Sequence, residues 1–417
     1  MKLVVFKPVK QGQRRIIVNI GLFTDTYFPQ VSGVATSIKT LRDELEAQGH
    51  NVYIFTTTDP KVSKDQVEPG IYRFASVPFV SFTDRRIAVR GLFKAYRLAK
   101  ELNLDIVHNQ TEFSLGWMGK VIAKALHIPC IHTYHTMYQD YLHYIANGRI
   151  VKPKNVKQMA TLYLAHMTGV IAPSDRVLNV LEGYGVKAPI RVIPTGINLG
   201  RYQDNDSPLV SQQLRKELGY TEETPVILSL SRLAFEKNIH EVIEALPEIL
   251  KQLPTAQLLI VGDGPAKETL ENQVHEMKLD SHVTFTGEIS NDAVHHYYHL
   301  ADVLVSASDS ESQGLTYIEA LASGLPIVVM RSPYTDELID DEAIGSSFQK
   351  KSELVEKTVQ YLTTPMSKED ANERTRKLKE ISAETFVQRV VKYYHDCQIS
   401  LAESEHEPIN LFRGPRG

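Results

Sequence analysis

The feature that most constrains this chain is an alternation of short apolar runs and amphipathic stretches that occurs twice. In the first half, "IIVNIGLFT" (16–24) reads as a buried strand, and "VATSIKTLRDELEAQG" (34–49) as a helix ending at Gly49. "NVYIFTT" (51–57), "DIVHNQ" (105–110) and "IPCIHTYH" (128–135) read as further strands. "GVIAPSDRVLNVLEGYG" (169–185) reads as strand, turn and helix, and "IRVIPTGIN" (190–198) closes the half. The pattern restarts at "PVILSLS" (225–231) and runs through "NIHEVIEALPEILKQL" (238–253), "QLLIVGDGP" (257–265), "HVTFTGEI" (282–289), "ADVLVSAS" and "LPIVVM" (325–330). Strand–helix alternation of this kind implies parallel sheets covered by helices on both faces. The expected fold is therefore α/β, with two doubly wound, Rossmann-like domains facing across a cleft. A chain of 417 residues suits two domains. Their expected bounds are 1–199 and 200–396, with a polar linker at "GRYQDNDSPLVSQQ" (200–213) and a polar tail at 397–417. Ligands of such sheets bind beyond the carboxyl ends of the strands, which puts the expected site in the cleft.

Composition narrows the class. A hydrophobic content of 42% with 23% charged residues suits a soluble globular protein. No stretch approaches the roughly 18 apolar residues of a membrane span. The opening "MKLVVFKPVKQGQRR" is basic, but its apolar run is too short for a secretory signal. Two distant cysteines, Cys130 and Cys397, exclude a disulfide scaffold and suit a reducing compartment. Residues 1–200 hold 25 of the 46 Lys and Arg but 14 of the 50 Asp and Glu, a balance of +11 against −15 for the rest. The first half is thus expected to face something anionic, either nucleic acid or a membrane surface.

The segment "SDSESQGLTYIEA" (308–320) places Glu311 in the loop after a strand and Glu319 inside the next helix. Gly314 and Leu315 open that helix, whose free N–H groups suit a phosphate. Two acceptor-only carboxylates suit sugar and ribose hydroxyls; the alternative is a solvated loop Glu and a surface Glu. In "SRLAFEKNIH" (231–240), Arg232 and Lys237 bracket a strand–helix loop where two cations could neutralise a diphosphate, with Asn238 as a helix cap. Gly33, in "FPQVSGVATS", lets backbone approach a ligand or is an ordinary turn glycine. "VGDGP" lacks the third glycine of the dinucleotide fingerprint, which argues against a nicotinamide-dependent dehydrogenase. "HTYHTMYQDYLHY" (132–144) has histidines without the accompanying ligands of a zinc site, so only His135 is read as facing the cleft, with a structural histidine as the alternative. "HHYYH" (295–299) reads as helix packing, and "DND" (204–206) as a turn and not a metal motif. From Arg85 to Lys100 six cations occur without an acid, and "TDRRIAVRGLFKAYRLAKEL" (83–102) reads as one basic amphipathic helix. Arg85, Arg86, Arg90, Lys94 and Arg97 are its expected membrane contacts, or else a solvated face.

Together, Gly33, Arg232 with Lys237, and the Glu-x7-Glu pair at 311 and 319 resemble the GT-B retaining glycosyltransferases of family 4, from about Asn19 to about Asp396. "ESQGLTYIEALASGLPIV" is the most specific part. "IPTGIN" resembles the family's "IPNGVD", with Thr195 in place of Asn, and "SGV" stands where many members have "GGV". The resemblance implies that Arg232 and Lys237 bind the donor diphosphate and that Glu311 holds the donor sugar. It further implies that Glu319 binds the ribose, that Gly33, Gly314 and Leu315 lie against the nucleotide sugar, and that His135 lies on the acceptor side. It implies no required cofactor and no metal. The opening "GLFTDTYFPQVSGVATSIKTLRDELEAQGHNVYIFTTTDP" is similar to that of bacterial 1,2-diacylglycerol 3-glucosyltransferases. That implies a retaining transfer from UDP-glucose to diacylglycerol, performed by a peripheral protein on the inner face of the cell membrane. Two other expectations stand beside it: a GT-B transferase with a soluble acceptor, and a non-catalytic scaffold that binds a nucleotide sugar or a membrane. No RNA-binding motif supports a nucleic-acid partner.

Overall fold

A computed structural model describes residues 17–406 except 31, 64–65, 80–81, 138–152, 204–206, 291, 312 and 365–367. The basic N-terminal extension, the "DND" turn and most of the 132–144 segment therefore lie outside the described residues. Two parallel sheets dominate. The first contains β1 (Asn19–Phe23), β2 (Asn51–Thr57) and β3 (Ile71–Phe74), and after a β4 (Ser76–Phe79)–β5 (Phe82–Ala88) hairpin adds β6 (Ile106–Asn109), β7 (Cys130–Thr133), β8 (Gly169–Ala172) and β9 (Ile190–Val192). Its order is β3-β2-β1-β6-β7-β8-β9. The second contains β10 (Val226–Leu230), β11 (Gln257–Val261), β12 (Val283–Phe285), β13 (Val303–Ser306), β14 (Ile327–Met330) and β15 (Gly345–Phe348), in the order β12-β11-β10-β13-β14-β15. The chain reverses direction across each sheet beside its first strand, β1 or β10. Crevices open there, at the strands' carboxyl ends.

The strands are apolar on both faces because helices cover both. In the first sheet Phe23, Phe55 and Val107 pack to one side, while Ile20, Leu22, Ile54 and Ile131 pack to the other. Beyond the carboxyl ends the sequence turns polar while staying buried. Thr24, Asp25, Thr56, Thr57, Asn109, Gln110 and Thr111 are each at most 5% exposed. Thr24, Asp25, Thr57, Asn109 and Thr111 share hydrogen bonds within this rim, while Thr56 Oγ1, Asn109 Oδ1 and Gln110 Nε2 are buried without one among the described residues, so the rim is a polar layer and not a continuation of the core.

The last helix departs from the expected division. It spans Ala383–His406, so the boundary at 396 falls inside it and the tail begins helical. Phe386, Val387, Val390, Tyr393, Tyr394 and Cys397 bury themselves against Ile20, Ile38, Leu41 and Ile193 of the first domain. The Tyr394 hydroxyl meets His108 Nδ1 on β6 at 2.7 Å. These apolar residues recur at helical spacing, and that stripe is why the segment packs instead of trailing off. The chain thus crosses between domains twice, at Ile193–Asn198 and at Ile381–Ala383. The two crossings hydrogen-bond to each other: Ile197 N donates to Ile381 O and Ala383 N to Ile197 O. Gly196 lies where they touch; a Cβ there would sit 2.4 Å from Ser382 O and 2.6 Å from Phe386 Cβ.

Two other expectations need correction. The polar linker is in part a helix, Ser207–Glu217, packed beside the Val294–Leu300 helix of the second domain. The basic segment 83–102 is not one helix. Arg85 and Arg86 lie on β5, paired antiparallel with β4, and the helix begins only at Leu92. Gly91, at φ 122°, separates the two, a conformation an L side chain resists and a helix cannot include.

Candidate active site

Between the strands' carboxyl ends, the loop after β13 carries the first candidate carboxylate. Glu311 Oε1 accepts a hydrogen bond from Lys237 Nζ at 2.6 Å, and both side chains are under one-fifth exposed. Lys237 closes a short 3₁₀ turn, Phe235–Lys237, after β10. Asn238 follows at φ 49°. Its side chain does not cap the helix as expected; it reaches across to Ala307 O and ties the two loops together. Burial alone would push Glu311 up. The charge and hydrogen bond of Lys237, the Ser308 hydroxyl and the charge of Arg176 together hold it below the usual carboxylate range. Glu311 is therefore an anion in a partly desolvated setting. Arg232 shares the loop after β10 with Lys237 and is exposed.

Gly314 precedes the Leu315–Ala322 helix at φ 59°, with the Tyr317 ring 2.6 Å from where a Cβ would stand, so a side chain there is strained and must displace the ring. Glu319 is 8% exposed. It accepts from the Tyr298 hydroxyl at 2.7 Å and from Tyr202, and burial raises its pKa. It lines a small cavity with Thr36, Ser37, Thr195, Gly196 and Leu315, where the two domains meet. Gly33 begins the Gly33–Ala47 helix, capped by Ser32, and a Cβ on it would lie 3.5 Å from Leu315 Cδ1. The structure thus gathers Gly33, Leu315 and Glu319 at one junction, beside the Lys237–Glu311 pair.

The first domain carries polar groups at the carboxyl ends of its strands, among them Asp25, Gln110 and Glu112, which the sequence reading passed over. His135 Nε2 meets Gln110 Oε1 at 2.8 Å, and burial with the neighbouring His132 lowers its pKa to about 4. His132 Nε2 meets Glu112 Oε1 at 3.1 Å. Asp25 caps the Ser114–Leu126 helix from a distance, accepting from Leu115 N at 3.2 Å, from Thr111 Oγ1 at 2.8 Å and from Ser114 Oγ. Burial nevertheless pushes Asp25 up to about 6. Its signal was available: "TDT" and "NQTE" are polar insertions directly after apolar strands. Arg176 and Gln313 were also missed. Arg176 Nη1, on the Asp175–Tyr184 helix of the first domain, donates to Glu311 O at 2.7 Å and Asp309 O at 3.1 Å. Gln313 is held by Thr195 N and O at 2.9 and 2.7 Å.

The "VGDGP" turn serves packing. At Gly262, φ 138°, a Cβ would sit 1.9 Å from Ser231 O, so the turn lets the loop carrying Arg232 lie flat on it. The "HHYYH" residues His295 and Tyr298 are buried in the second domain. Of the basic residues, Arg86 is bound to Ser76 through its carbonyl and hydroxyl oxygens. Arg90, Lys94 and Arg97 are exposed, and they flank Val89, Leu92 and Phe93, the last 89% exposed. Arg85 is on β5, and its side chain lies outside the described residues. No helix among the described residues is long and apolar enough to cross a membrane.

Comparison with known proteins agrees with this architecture. Residues 31–201 match the model of Glycosyltransferase Family 4, and residues 210–378 match that of Glycosyl transferases group 1. The chain is 47% identical over 390 residues to the alpha-monoglucosyldiacylglycerol synthase of Streptococcus pneumoniae, covering 92% of this chain and 87% of that one. It is 35% identical over 359 residues to the enzyme of the same name from Acholeplasma laidlawii, covering 84% and 89%. Among solved structures, Anabaena HepE in complex with UDP superposes with a TM-score of 0.69 at 18% identity, covering 91% of this chain and 100% of that one.

Proposed function

Because the chain belongs to the GT-B glycosyltransferases built from a family 4 and a group 1 module, we propose that it transfers glucose from UDP-glucose to the 3-hydroxyl of 1,2-diacylglycerol, with retention, giving α-monoglucosyldiacylglycerol. The observation that carries the reading is the likeness to two diacylglycerol-glucosylating relatives along nearly the whole chain, the candidate site included. The residues supply a workable division of labour. Lys237 and Arg232, with the N–H groups at Leu315, hold the diphosphate and stabilise the charge that develops as UDP leaves. Glu311, ionised and oriented by Lys237, accepts hydrogen bonds from the glucose hydroxyls and fixes the reacting carbon. Glu319 serves the ribose, and Gly33 leaves room at the phosphates. His135, neutral because burial holds it near 4, faces the acceptor as a hydrogen-bonding group and not as a cation. Arg232, Lys237 and a helix N-terminus supply the donors that a diphosphate needs, so no metal or other cofactor is expected to be required, and full activity in EDTA is the expected result.

The acceptor lies in a bilayer, and the first domain docks on its anionic inner face through Arg90, Lys94 and Arg97 with Leu92 and Phe93 inserted. Each cation near such a surface adds about 1 kcal/mol. The deciding experiment measures lipid-extractable label from UDP-[14C]glucose with and without diacylglycerol in anionic vesicles. Label appearing only with diacylglycerol is expected. UDP release without lipid label would refute the reading in favour of a soluble acceptor. Donor binding without turnover would leave a non-catalytic scaffold.

A further inference from the structure

The loop that carries Glu311 is gripped from both domains. From its own domain, Lys237 holds the carboxylate and Asn238 holds Ala307 O. From the other domain, the Arg176 guanidinium spans the carbonyls of Asp309 and Glu311. Two residues beyond Glu311, the buried Gln313 amide pairs with both backbone groups of Thr195, in the crossing segment. Thr195 in turn meets Ser37 of the first domain, hydroxyl to hydroxyl, at 3.1 Å. Arg176 is itself firmly seated, since the next residue, Val177, and Leu181 anchor its helix at 0% exposure. Two carbonyls fixed by one planar donor leave the loop little freedom to rotate Glu311 away.

We propose that Arg176 is a positioning residue for the transfer reaction, which holds the Glu311 loop in register from the opposite domain and makes placement of Glu311 depend on contact between the domains. The inference rests on the reading of Glu311 as the donor-sugar ligand. It gives domain closure a chemical consequence. When the domains part, Arg176 leaves the loop, and the carboxylate loses the backbone restraint that aims it at the sugar. A donor bound to the second domain alone would then be poorly oriented and protected from wasteful hydrolysis. Misplacing a reacting group by about 1 Å costs on the order of 100-fold in rate.

The test uses the full chain with R176M, R176K, E311Q and the R176M/E311Q double variant. Each is assayed with UDP-glucose and diacylglycerol in vesicles containing phosphatidylglycerol, and UDP binding is followed by calorimetry. R176M keeps the aliphatic stem, and folding is checked by its thermal midpoint. Its kcat is expected to fall roughly 10- to 100-fold while UDP affinity, which does not involve Glu311, stays within about threefold. R176K, keeping the charge, is expected to recover part of the rate. The double variant is expected to be no slower than E311Q alone, because Arg176 acts through Glu311. A rate for R176M within about threefold of the parent, or losses that simply multiply in the double variant, would overturn the proposal. E311Q at near-parental turnover would overturn the site reading and the proposal with it. An inactive E311Q beside a fully active R176M and R176K would overturn the proposal alone.

Discussion

Asp25→Asn isolates one buried charge at the head of the first domain. The Asp25 carboxyl is 1% exposed. Burial raises it from 3.8 to about 6, despite the hydrogen bonds from Ser114, Thr111 and Leu115 N that favour its ionised form. A carboxyl whose folded pKa lies above its unfolded value stabilises the fold most when protonated. That contribution is complete below about pH 4 and is lost as pH rises through about 6. A shift of about two units corresponds to about 3 kcal/mol. The histidine His135 works in the opposite sense across the same window. Its pKa is lowered to about 4, so its contribution is present above its unfolded value, 6.5, and is lost as pH falls. The parent curve alone would therefore conceal both. The informative quantity is the stability of the parent minus that of D25N, in which His135 cancels. It should fall by about 3 kcal/mol between pH 4 and pH 6.5. Urea unfolding followed by fluorescence reads it directly. Trp117, the only tryptophan, sits on the helix that Asp25 caps. A difference that stays flat, or rises with pH, would refute the burial argument.

Three further outcomes follow from the same geometry. K237M should reduce turnover by about 100-fold or more and move the acid limb of its residual activity upward, since Lys237 lowers the pKa of Glu311; an unmoved limb in a pH profile would separate the two residues. G196A should destabilise the chain by roughly 1–3 kcal/mol, because its methyl would meet backbone of the second crossing at 2.4 Å; an unchanged urea midpoint would contradict that packing. F93S combined with R90E, K94E and R97E should abolish flotation with anionic liposomes and remove its salt sensitivity, while leaving UDP affinity intact; retained flotation would exclude this face as the docking surface.

Much of the fold was legible because it is written in local periodicity. Strand runs such as "PVILSLS" and "LLIVG" need only their own apolar pattern to be read, and two series of them imply two sheets. Glu311, Gly314 and Glu319 were equally visible because they lie within nine residues of one another. The basic segment misled because cation spacing over 83–102 fits a helix. The spacing ignores Gly91, whose positive φ divides a hairpin strand from a shorter helix. The last helix was misassigned because its apolar stripe is evident, but the domain it covers is not. Partners of Ile20 and Ile38 from beyond residue 380 cannot be inferred from spacing. Arg176 and Gln313 were hidden for the same reason. Their partners are backbone atoms more than 100 positions away, and backbone carries no residue type.

The return of the Ala383–His406 helix to the first sheet has a consequence for how the protein is made. Chains emerge from the ribosome from the N-terminus onward, and domains generally fold in that order. Here the first sheet, although synthesised first, has the face of Ile20, Leu22 and Ile131 only partly covered, by Ile38, Leu41 and Leu45 of the Gly33–Ala47 helix, until the helix bearing Phe386, Val390 and Tyr394 has emerged. The second domain, encoded between the two crossings, is complete sooner. The nascent first domain thus spends the synthesis of nearly 200 further residues with part of that apolar face open. Its native closure follows the synthesis of the whole second domain.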